Sequence, residues 1–96
     1  MNTTKADEAA IEETLLGLVA ERGAGKTICP SEVARALGGP HPDGWGPLMQ
    51  PVRRVAVRLA HAGRVAILRK GKPVEDPDDF RGIYRLGAAA TASDEA

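Results

Sequence analysis

"VRRVAVRLAHAGRVAILR", residues 52–69, decides the fold. Val52, Val55 and Leu59 recur at spacings of three and four, and Leu48 lies one turn upstream, so together they form one stripe of an amphipathic helix. Arg54, Arg58 and His61 recur on the opposite side, and Arg53 sits on a flank. Gly63 closes the helix, and the β-formers of "RVAILR" (64–69) follow at once as a strand. The helix is expected to start near Pro47 or Leu48 and to end at Ala62. Pro51 then falls in its first turn, where a missing N–H costs least.

Upstream, "CPSEVARALGG" (29–39) reads as a short helix over about 30–37. Pro30 suits the first helical position. Cys29 or Ser31 is a candidate cap, and Glu32 stands three residues after Cys29, as in a capping box. Val33, Ala34 and Leu37 face the core. "GPHPDGWGP" (39–47) is a loop of turn formers, and Trp45 is expected to plug the end of the core. Before it, Ile11, Leu15, Leu18 and Val19 define a first helix over about 6–22, with Asp7 and Glu8 complementing its dipole. "KTIC" (26–29) is either a short strand or an extended entry. Downstream, "RKGKPVEDPDDFRG" (69–82) reads as one long turn, and "GIYRL" (82–86) as a strand pairing back on 64–69. The domain is expected over 6–87, with disordered ends at 1–5 and 88–96, where nothing asks to be buried.

This order of elements is that of an α+β, mainly α fold: a winged helix-turn-helix, three helices followed by a β-hairpin wing. A three-helix bundle with an appended hairpin is the rival. The segments "CPSEVAR" (29–35), Trp45, "LM" (48–49), 52–74 and "FRGIYRL" (80–86) resemble a family of short bacterial winged-helix proteins catalogued only as a domain of unknown function. The resemblance implies the fold and brings no activity, substrate or catalytic residue with it.

A chain of 96 residues is one domain. Trp45, Phe80 and Tyr84 are its only aromatics, so the core is aliphatic and stacking platforms for single-stranded nucleic acid are scarce. The single cysteine, Cys29, excludes an intramolecular disulfide and fits a reducing cytoplasm. No apolar run approaches a membrane span, and the polar first residues do not form a secretory signal.

The formal net charge is zero, yet the charges are segregated. Residues 1–25 sum to −3, residues 26–72 to +7 and residues 73–96 to −4, and no acidic residue falls between Gly44 and Val74. A basic middle of this kind points to a polyanionic partner. The expected interface with double-stranded DNA puts Arg54, Arg58 and His61 at the major groove, Arg53 and Lys26 on phosphates, and Arg69, Lys70 and Lys72 at the minor groove or backbone. The function so read is that of a small transcriptional regulator, working as a homodimer on two half-sites. The alternatives are a plain solvated surface and a protein-interaction module. The acidic stretch Glu75, Asp76, Asp78, Asp79 is expected to point away from DNA or to meet a second subunit or another protein.

Enzymatic, cofactor and metal readings find no support. "GAGKT" (23–27) lacks the first glycine of a phosphate-binding loop. "EDPDD" (75–79) does not match a calcium loop, and Cys29, His41 and His61 match no zinc spacing. A redox role for Cys29 at its helix start is a minor alternative.

Overall fold

The computed structural model describes residues 8–23 and 25–89. The expected disordered ends, 1–5 and nearly all of 88–96, lie outside them. The fold is α+β and mainly helical. Helix α1 spans Glu8–Arg22, strand β1 Thr27–Ile28, helix α2 Pro30–Gly38 and the single-turn helix α3 Pro42–Trp45. A 3-10 turn over Gly46–Leu48 leads into helix α4, Met49–His61, and strands β2 (Val65–Arg69), β3 (Lys72–Pro73) and β4 (Arg85–Ala88) follow. The four strands make one antiparallel sheet in the order β1-β4-β2-β3.

Apolar spacing builds the core as expected. Ile11, Leu15 and Val19 of α1, Val33 and Ala34 of α2, and Val52, Val55, Ala56 and Leu59 of α4 are buried. They close on Ile28, Val65, Ile67 and Leu86 of the sheet. Trp45 packs at the edge of this cluster, with the Arg35 guanidinium 4.9 Å over its ring. The α2 start also follows its sequence. Glu32 accepts the backbone N–H of Cys29 at 3.0 Å, and Arg22 donates to the same carboxylate at 2.7 Å.

Three features depart from the sequence reading. The stretch 39–47, expected as loop, contains α3, because the N–H groups of Gly44 and Trp45 both reach the His41 carbonyl (2.8 and 3.1 Å). This turn sits so close to the end of α2 that a Cβ on Gly38 would strike the Gly44 carbonyl, and one on Gly44 the Gly38 carbonyl. The long turn expected over 69–82 is split. Arg69 pairs with Lys72 and Leu68 with Pro73 around a two-residue connection, Lys70–Gly71, with φ of 54° and 83°. Two positive φ values match a type I′ turn, and the dipeptide Lys-Gly is a weaker signal for it than Asn-Gly. The last strand consequently begins at Arg85 rather than Gly82. It pairs Val65 with Ala88 through Leu68 with Arg85, leaving Ile83 outside the sheet and 85 % exposed.

The segment between β3 and β4 folds back onto the domain. Phe80 and Tyr84 are both buried, packed edge to face with ring centres 5.1 Å apart. The acidic stretch is thereby divided: Asp78 reaches the side of α4, whereas Glu75, Asp76 and Asp79 line an open groove with Arg69 and Lys72 of the β2–β3 hairpin.

Candidate nucleic-acid interface

Helix α4 separates its faces. Inside are the four buried residues named above. Outside, Gln50, Arg54, Arg58 and His61 are exposed, and Val57 is half-buried among them. Gln50 and Val57 were not singled out from the sequence, although they lie four residues before and three after Arg54, which places them on the arginine stripe. The stripe forms one wall of an open groove of about 480 Å³, which Glu8 of α1 and Pro77 and Asp78 of the returning segment complete.

The adjacent arginines 53 and 54 have different environments. Arg53 is half-buried and lies over Phe80, its guanidinium carbon 3.8 Å from the ring centre and 5.7 Å from that of Tyr84. Its Nη2 donates to the Phe80 carbonyl at 2.6 Å. It ties the returning segment to α4. Arg54 is open to solvent, with Nε 3.8 Å from Glu8.

Every other cation of the stripe also meets an acid. Arg58 reaches Glu8 at 3.7 Å and Glu12 at 3.1 Å. Glu12 takes Arg64 on its second oxygen, again at 3.1 Å. His61 Nε2 lies 2.9 Å from Asp78. Glu8 and Glu12 are four residues apart on α1, as Arg54 and Arg58 are on α4, so two packed helices present matching ladders. That shared spacing was the available sequence signal for the contact. These pairs are exposed and screened, so each contributes only about 0–1 kcal/mol.

The remaining expected residues lie elsewhere. Lys26 follows the C-terminal end of α1, whose length of about 22 Å separates that end from the first turn where Arg54 and Arg58 meet it. Arg69, Lys70 and Lys72 gather at the far end of β2, about 16 Å along the strand from its start after α4. Arg69 donates to the Ile83 carbonyl at 3.2 Å. Among the described residues, Lys26, Lys70 and Lys72 make no ion pair. Arg85 is absorbed by the fold, donating to the hydroxyl and carbonyl of Thr27.

Two titrations are displaced. The Glu32 carboxyl is held below the usual carboxylate range, chiefly by the Cys29 backbone N–H, with the Arg22 guanidinium adding to the effect. The Tyr84 phenol is pushed up to about 12 by burial, against the opposing pull of Arg53. Its hydroxyl has no hydrogen-bond partner among the described residues. Cys29 is half-buried with Sγ 3.0 Å from the Ser31 hydroxyl, beside a small apolar groove that Met49 and Ile83 also line.

No helix of the described residues is long and apolar enough to cross a membrane. No curated protein matches the chain. The segments that carried the resemblance lie within the region over which a family's sequence profile matches, residues 8–89, and the chain belongs to that family, described as "Protein of unknown function (DUF3253)".

Proposed function

We propose that this domain is a winged-helix module that binds double-stranded DNA through α4, as a small cytoplasmic regulator with no catalytic role. The observation that carries the reading is the exposed α4 stripe. Gln50, Arg54, Val57, Arg58 and His61 offer amide, guanidinium, methyl and imidazole groups along the outer face of a helix that packs on α2 and is flanked by α1. Arg and Gln are the side chains that bind guanine and adenine edges in two places, and a methyl group suits thymine. The helix order and the β1-β4-β2 arrangement support the winged-helix assignment. Lys70 and Lys72, on the tight β2–β3 turn, are suited to the phosphate backbone beside the groove. A homodimer would present two such stripes to half-sites about 34 Å apart.

A second reading, a protein-interaction module, draws on a specific observation. The α4 arginines are matched by Glu8, Glu12 and Asp78, so the face is close to neutral in sum. The exposed Ile83 beside an apolar groove adds to it.

Fluorescence anisotropy with a labelled random-sequence duplex separates the two. DNA binding is expected to weaken steeply between low and near-physiological salt, as phosphate counterions are released. It is expected to be lost in the double variant R54A/R58A. No binding at low salt would overturn the DNA reading in favour of a protein partner.

A further inference from the structure

We infer that Glu8 and Glu12 are specificity-determining residues of the α4 face, acting as built-in competitors for the phosphates the arginines would otherwise take. The inference rests on the DNA reading above and adds how that site is restrained. Glu12 spans two cations, one oxygen on Arg58 and the other on Arg64, both at 3.1 Å, and it is the most shielded acid of the set, its side chain 27 % exposed. Glu8 bridges Arg54 and Arg58 one turn earlier. A carboxylate and a phosphate oxygen present the same acceptor geometry to a guanidinium. The two glutamates therefore occupy the donors that a DNA backbone or base edge needs.

Nothing in this arrangement locks the arginines away. Their side chains remain half-exposed or more, and exposed ion pairs exchange readily in water. A dense polyanion can displace both carboxylates, because it engages several arginines at once. An isolated anion replaces one contact at a time and gains little. The face is thereby set to respond to duplex phosphate arrays and to ignore small anions.

The test compares wild type, E8Q/E12Q and a charge-matched control, E13Q/E21Q. Glu13 and Glu21 are exposed on the same helix and make no ion pair among the described residues. Duplex affinity is measured by anisotropy at fixed low salt, with inorganic phosphate as competitor in a second series. E8Q/E12Q is expected to bind about three- to thirtyfold more tightly than wild type, from the loss of four exposed and individually weak pairs. It is also expected to be inhibited by lower phosphate concentrations. The control is expected to change affinity less than twofold. Equal gains in the two double variants would show a net-charge effect and overturn the inference, as would wild-type binding that E8Q/E12Q leaves unchanged. Absence of binding by every variant would overturn the DNA reading itself and the inference with it. If the double variant does not fold, E12Q alone, which frees Arg64 and leaves Arg58 with Glu8 only, carries the same comparison against E13Q.

Discussion

The cations of α4 and those of the β2–β3 hairpin differ in how they meet the acids around them. Arg54, Arg58, His61 and the following Arg64 each face an acid from another element. Lys70, in the two-residue turn, and Lys72, at the start of β3, are exposed and make no ion pair among the described residues, although Lys72 shares an open groove with Glu75, Asp76 and Asp79. Both sets belong to the same uninterrupted basic stretch of sequence. A run of one charge along the chain therefore does not become a patch of one charge in space. Packing brings acids into direct ion pairs with the α4 cations, whereas the hairpin lysines lie near acids without pairing with them among the described residues.

The comparison can be broken most severely at Phe80, which holds the acidic segment against α4. F80A is expected to cost about 3–5 kcal/mol in chemical denaturation, the usual range for removing a buried aromatic ring. It should also release Asp78 from His61. A loss under 1 kcal/mol would mean that the returning segment is not anchored by this ring.

Tyr84 lies on the same anchored side, and its phenol gives a pH signature. In the unfolded chain it ionises near its ordinary value of 10, and in the fold near 12. The native state thus retains a proton that the unfolded state releases. Stability falls as pH rises from about 10 to about 12, by an amount on the order of 2 kcal/mol. Y84F is expected to remove that alkaline loss and, by deleting an unpartnered buried hydroxyl, to leave neutral-pH stability equal or higher. An unchanged alkaline limb in Y84F would assign the loss to other groups.

The neighbouring arginines sharpen the contrast inside α4. R53A is expected to cost about 1–3 kcal/mol, because it strips the Phe80 carbonyl of a charged donor and uncovers two rings. R54A is expected to stay within about 0.5 kcal/mol of wild type. Similar losses for the two would mean that the surface pairs matter more to stability than their exposure implies. In DNA binding the order should reverse, with R54A the more damaging.

The smallest effect is expected at the turn. K70N places a residue tolerant of positive φ at 54° and should raise stability by up to about 1 kcal/mol, readable as a higher Tm. The same change removes a free cation and should lower duplex affinity modestly. Unchanged affinity would remove the turn from the proposed interface.

Much of the fold could be read in advance. The stripes of α1, α2 and α4, the Glu32 capping contact and the strand at 65–69 all arise from residues within a few positions of one another. The start of β4 lies three residues beyond the expected one because a Lys-Gly turn gives little warning of itself, and α3 was missed because its single turn rests on two hydrogen bonds to His41. The α4 stripe was legible as a helix face. The inward turn of Arg53 was not, since it depends on Phe80, 27 residues away.

The amino-acid sequence by itself determined the three long helices, which of their apolar positions would be inside, and that α4 would carry arginines on its outer side. Helical periodicity and capping are local properties, and local residues specify them. Tertiary structure alone decided what those arginines touch. Arg58 and Arg64 meet Glu12 across 46 and 52 residues of chain, and His61 meets Asp78 through a segment that buried aromatics fold back. Electrostatic partners are set by proximity in space, and proximity was established by the packing of apolar faces that carry none of the charge.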